Sequence, residues 1–344
     1  MAFKRLDPED FIVSADSVSQ TVWSGNAPNL TSFFTSSTQE TDSSGNYYLS
    51  VFNNQIGNND TEVQFDLAFG QKDGKGASAY NANVDASRTP TKTVYGQYRT
   101  LVLEDENSSF SFGDVIHDSF YVVNISRARY KEKLLPGSLN LTLSGSGGGN
   151  TALYLTDNSK DVTLPTFYGT QRAFQLVSGS GGNAYAGSGY AGAGGESTTI
   201  GSYGLFLPDS STLILNGKAL DDATYGINLG TNLSANTDGG NAAKMFGAIS
   251  SGASFDLNSE ETITSDFVFI RARNSEFNYS ENPSFIASST GEVIYDYFIN
   301  NPQVYPTSVG LYNDSNELLA TAKLSRPIQK NFTKEALIRI KLDF

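Results

Sequence analysis

The segment Lys334-Glu-Ala-Leu-Ile-Arg-Ile-Lys-Leu-Asp-Phe344 alternates cleanly from Ile338 to Phe344, and this constrains the fold more than any other stretch. Ile338, Ile340, Leu342 and Phe344 fall on one face of an extended chain, and Arg339, Lys341 and Asp343 on the other. A period of two has no place on a helix, so this segment is expected to be a half-buried strand pinned into a sheet. Just before it, Val309-Gly-Leu-Tyr312 and Leu318-Leu-Ala-Thr-Ala-Lys323 flank the polar cluster Asn313-Asp-Ser-Asn316, the pattern of a hairpin.

The rest of the chain speaks for the same class. It holds 22 Phe, 18 Tyr and 33 Gly in 344 residues, with charged residues at only 17%. That composition favours strands and turns and supplies enough apolar surface for a core. An all-β fold is expected, mainly antiparallel and sandwich-like, with a few short helices and long glycine-rich loops. Cysteine is absent, which excludes disulfides and thiolate metal sites. No apolar run is long enough for a transmembrane helix. Lys4 and Arg5 are followed by Asp7, Glu9 and Asp10 rather than an apolar stretch, so no signal peptide is expected.

Strand patterns are read at Tyr47–Phe52, Val94–Leu103, Phe120–Tyr130, Ala152–Leu155, Arg172–Val177, Thr212–Leu215 and Asp266–Arg273. Val63, Phe65, Leu67 and Phe69 alternate with more polar residues as a half-buried strand would. Asn216-Gly217 is read as a two-residue hairpin turn. Pro8-Glu-Asp10 suits one helical turn, and Ser14–Trp23 suits a short helix capped by Ser14, with Trp23 sealing a core. Phe120–Arg129 and Asp266–Arg273 both end in Arg-Ala-Arg and hint at a structural repeat. The aromatic residues between Phe277 and Tyr305 are expected in ordered loops. Two glycine tracts, Leu143–Asn150 and Ser178–Gly195, divide the chain into 1–144, 145–204 and 205–344. Tyr185 and Tyr190 in the second tract suit a linker or an exposed contact loop.

Chemistry is sparse. His117 is the single histidine, set between aspartates, and no nucleophile elbow accompanies it. Gly70-Gln-Lys-Asp-Gly-Lys-Gly76 has the wrong spacing for a phosphate loop and lacks its hydroxyl. Asp221-Asp222 and Glu260-Glu261 are adjacent pairs, whose side chains diverge on a strand, and Asp296 stands apart; surface solvation is the expected role. Asp157-Asn-Ser-Lys-Asp161 fits an Asx-turn better than a calcium loop. No catalytic residue, cofactor or metal is expected.

The formal net charge is −13, which argues against a nucleic-acid footprint. From Lys323 onward six basic residues face two acidic ones, a basic tail on an acidic body. Such a tail suits docking on an acidic neighbour, or is simply a solvated strand face. The residues picked for contacts are Arg127, Arg129, Tyr185, Tyr190, Arg271, Arg273, Tyr312, Arg339 and Lys341.

Several blocks resemble structural proteins of phage virions. Val309-Gly-Leu-Tyr-Asn313, Leu318-Leu-Ala-Thr-Ala-Lys-Leu-Ser-Arg-Pro327 and the final Lys341-Leu-Asp-Phe344 resemble the C-terminal segment of tail and baseplate wedge proteins. Met1–Phe11, Ser14–Trp23, Tyr95–Leu103 and Arg127–Lys133 resemble virion proteins of contractile-tailed cyanophages (myoviruses). The resemblance leaves the glycine-rich middle uncovered. It implies a non-enzymatic baseplate subunit in the virion, assembled in the bacterial cytoplasm. Its partners would be other tail subunits and further copies of itself, with no nucleic acid and no membrane. A host-binding fibre and a polysaccharide depolymerase are the alternative readings.

Overall fold

The computed structural model describes residues 3–35, 48–79, 88–145, 152–185, 201–235, 237–280 and 282–343. The fold is all-β, as expected, with four short α-helices among the described residues. The chain forms two compact units, one of Val18–Glu261 and one of Met1–Ser17 with Thr262–Phe344. They do not follow the division expected at the glycine tracts, because strands on either side of each tract hydrogen-bond within one sheet.

That sheet has thirteen strands and belongs to the larger unit. Its centre runs from Leu153–Asp157 through Gln171–Ser180, Gly204–Leu207, Thr212–Asn216 and Ser119–Ile125 to Val63–Gln71, each antiparallel to the next. Successive residues of these strands feed two different cores. Tyr121, Val123, Leu213 and Leu215 join a large cluster with Met245 and Ile249 of the helix Asn241–Gly252. Phe120, Val122 and Ile214 point the other way, into a cluster with Val94, Tyr95 and Val102. Burial on both faces explains why Thr212–Asn216 shows no alternation and is wholly buried. The strand Val63–Gln71, expected to be half-buried, is covered on both sides for the same reason.

The second core rests on a segment expected to be a strand. Pro90–Leu103 is an α-helix. Thr89 caps it by accepting the Lys92 N–H at 3.3 Å, and Pro90 occupies the first turn, where a missing N–H costs nothing. Thr91, Val94, Tyr95 and Val102 then bury one helical face, so the apolar spacing is helical rather than twofold. Gly70 lets this helix approach: a Cβ there would stand 2.8 Å from the Phe120 ring and 3.2 Å from the Tyr95 nitrogen.

Four further expectations are corrected. Ser14–Trp23 is not helical; Phe11–Thr21 is a strand, its β-branched and serine content outweighing the cap signal. Asn216-Gly217 does not turn a hairpin, because the Asn216 side chain accepts the N–H groups of Lys218 and Ala219 and caps the helix Gly217–Asp221. Phe120–Tyr130 is strand only to Ile125, after which Arg127–Arg129 makes a 3-10 turn. Asp266–Arg273 lies in a strand that runs to Ala272, so the shared Arg-Ala-Arg has different conformations in the two places.

Other readings hold. Pro8–Asp10 is a helical turn and Trp23 is buried against Phe65 and Phe255. Asp157 accepts the Ser159 N–H in an Asx-turn and both its oxygens take the Gly137 N–H, with burial pushing its carboxyl up. Of the second glycine tract, the first residues pair: Gln171–Ser180 folds back on Asn183–Ala184. Tyr190 and most of that tract lie outside the described residues.

The smaller unit is built on the strand Asn258–Ala272, which belongs to it from Thr262 on; this strand pairs antiparallel with the terminal strand Ala336–Asp343 and has Phe11–Thr21, in this unit as far as Ser17, on its other side. The predicted hairpin forms as Ser308–Tyr312 against Leu318–Lys323. Its turn is fastened by Asn313, whose side chain accepts the Glu317 N–H at 2.8 Å.

Candidate interaction surface

Register decides what the smaller unit shows. Val268 stands opposite Ile340, Ile270 opposite Ile338, and Ala272 opposite Ala336, so these share one face. Val268, Ile338 and Ile340 form its small core, with Ile270, Leu6, Val309, Leu311 and Ile328 packed against them. The other face pairs Phe267 with Lys341, Phe269 with Arg339, and Arg271 with Leu337. Arg339 lies over the Phe267 ring at 5.1 Å and Lys341 at 6.0 Å, so two of the chosen cations share one aromatic face. Arg271 donates twice to Glu335, at 2.8 and 3.1 Å, which raises its pKa further. Asp343 is held below the usual carboxylate range by the Ser265 hydroxyl and by Lys341. The expected alternation of Ile338 and Ile340 against Arg339 and Lys341 is thus real.

The rest of this unit is poorly covered. Among the described residues it exposes sixteen large apolar side chains and buries five apolar ones, Val268, Phe298, Ala336, Ile338 and Ile340. Isolated exposed apolar residues are ordinary, but a unit that shows more than it hides is not. Tyr295, Tyr297 and Ile299 cluster on one short segment, with Phe285 packed edge-on to Tyr295 and tilted against Phe298. The expected packing of the aromatic loops therefore covers Phe298 and leaves the tyrosines facing out. Tyr312 meets Phe3 edge-on at 5.4 Å. Arg273 donates its backbone N–H to Glu276, which also takes the Lys4 ammonium. Inside, the Lys330 ammonium is buried and donates to Asn278, Asn274 and Asn331 oxygens at 2.8, 3.0 and 3.2 Å. Burial lowers its pKa, and this hub ties the loop at Asn274–Asn278 to the segment of Lys330 and Asn331.

The remaining chosen residues lie in the larger unit. Arg127 is exposed, its guanidinium over the Tyr130 ring at 4.7 Å. Arg129 is not free to contact a partner: it donates to Ser24 and Glu62, and Ser24 and Arg129 together hold the Glu62 carboxyl below its usual range. Beside it, Trp23, Tyr130 and Lys131 line a shallow cavity of about 250 Å³. Tyr185 is half exposed at the end of the Asn183–Ala184 hairpin.

Among carboxylates, Asp221 accepts the Thr231 N–H and hydroxyl, and Asp222 accepts the N–H groups of Thr224 and Tyr225. Both fasten loops. Among the described residues no cluster of His, Asp and Glu could hold a metal ion, and no helix is long and apolar enough to cross a membrane.

The residue choice missed Phe267, Phe269, Leu337 and the N-terminal strand. The first three were legible once Asp266–Arg273 and Lys334–Phe344 were set side by side as paired strands. Compared with protein-family models, curated proteins and solved structures, the chain matches none.

Proposed function

We propose that this chain is a structural subunit of a phage tail, most specifically a baseplate component, which docks on neighbouring subunits through its smaller unit. The observation that carries this reading is the excess of exposed over buried apolar side chains in that unit. Each large apolar side chain withdrawn from water contributes roughly 1.5–3 kcal/mol, so a partner covering a handful of them holds firmly. The resemblance of both chain ends to virion proteins supplies the setting. The docking groups are the cation–aromatic face of Phe267, Arg339 and Lys341 and the exposed tyrosines near Tyr297.

Immunogold labelling of intact virions tests the placement. Label at the tail end plate is the expected result. Label on fibre tips overturns it in favour of a host-binding fibre and makes the hairpin at Tyr185 the segment to mutate. Label on the capsid or neck overturns the baseplate assignment.

A further inference from the structure

We propose that the smaller unit joins a second copy of this chain edge to edge, with the N-terminal strand of one copy lying along the terminal strand Ala336–Asp343 of the next. The inference rests on the reading of this unit as an assembly surface and names the partner.

Both strands are at the ends of one short sheet. The central strand lies between them, and among the described residues neither end strand has a ladder partner on its outer side. Each therefore presents a row of backbone N–H and C=O groups able to accept another strand. Proteins usually guard such edges with proline, lysine, bulges or brevity. Phe11–Thr21 is eleven residues long, lacks proline and lysine, and its residues are exposed on both faces. Phe11, Ile12 and Val13 stand out of it in succession, Val13 at 69% exposure. On the opposite edge Leu337 is 66% exposed.

The charges of the two edges are complementary. Asp16, at the middle of the N-terminal strand, is its single charge, while the terminal strand carries Arg339 and Lys341 against Asp343, which pairs with Lys341 at 2.9 Å and leaves the edge net positive. Opposite charges across a strand pair attract and like charges repel, so unlike edges join and like edges do not. Because both halves of this complementary pair are carried by one chain, the fitting occupant is another copy. Joining unlike edges is a head-to-tail contact, which closes into a ring or continues as a filament.

The test uses the full chain, whose lack of cysteine gives a clean background. Single-cysteine variants Val13→Cys, Ala15→Cys and Ser17→Cys are each mixed with Leu337→Cys or Lys341→Cys under oxidising conditions. Disulfide-linked pairs between the two variants are expected, and any such bond is intermolecular by construction. Native mass spectrometry is expected to show multimers that Arg339→Glu with Lys341→Glu weakens about tenfold. Adding Asp16→Lys to that variant is expected to restore them, which a folding defect would not allow. A chain that stays monomeric at every concentration and gives no mixed disulfide, either free or in virions, overturns the inference. If such a chain still enters virions at its usual position, the assembly reading stands and the partner is a different subunit; if it is absent from virions, both fail.

Discussion

Among the described residues, the larger unit buries forty-eight apolar side chains and exposes twelve large ones; the smaller buries five and exposes sixteen. Both are built from antiparallel strands, so the contrast does not lie in secondary structure. It lies in how many faces of each sheet are covered. The central strands of the larger unit carry apolar residues in both directions, and a helix seals one side. In the smaller unit one face of a short sheet holds a core while the other pairs cations with phenylalanines. Hydrophobic stability scales with area withdrawn from water, so the larger unit is expected to hold alone and the smaller to gain most from a neighbour.

Removing Lys334–Phe344 is the most severe way to test this contrast. It takes away Ile338 and Ile340, and the smaller unit is expected to unfold while the larger keeps its fold. Hydrogen exchange resolved by segment reads both, and uniform loss of protection across Val63–Gln71 refutes the separation. Phe65→Ala, in the larger core, is expected to cost about 3–5 kcal/mol in urea unfolding. Gly70→Ala forces the Phe120 ring and the Pro90–Leu103 helix apart and is expected to cost about 1–3 kcal/mol. Glu62→Gln removes the partner of Ser24 and Arg129, at no more than about 1 kcal/mol because the carboxylate is half exposed. The folded-state pKa of Glu62 lies below its ordinary 4.5, so this contribution is present above that value and lost as pH falls through the lower one. The Tm gap between wild type and Glu62→Gln is therefore expected to close in acid. Smallest of all, Tyr297→Ser and Leu337→Ser on the smaller unit are expected to change stability by within about 0.5 kcal/mol while reducing entry into virions. A large loss of stability there, with normal entry, places those side chains in a core instead.

Legibility followed the same divide. Where a strand has one wet face, its alternation is printed in the sequence, and Lys334–Phe344 and the Asn313 hairpin were readable for that reason. Strands buried on both faces lose the alternation, so Val63–Gln71 was found but its second covered face was not. The helix at Pro90–Leu103 was hidden by β-branched residues and tyrosines, although Thr89-Pro90 announces its start. Asn216 shows how one side chain serves two grammars: followed by glycine it looks like a turn, yet its oxygen was needed at a helix start. Glycine tracts misled the division because a loop inside one sheet and a linker between domains have the same composition. Arg129 was chosen for contact as an exposed cation, and sequence alone does not disclose that Glu62 and Ser24 fold back onto it.

The register of the terminal strand also bears on timing. Val268 waits for Ile338 and Ile340, which leave the ribosome much later, whereas residues 18–261 are contiguous and can fold as synthesis proceeds. The smaller sheet is thus completed only after the residues of the larger unit have been made. Under the proposed edge-to-edge contact, a nascent copy cannot offer this sheet to a neighbour before Ala336–Asp343 has been made.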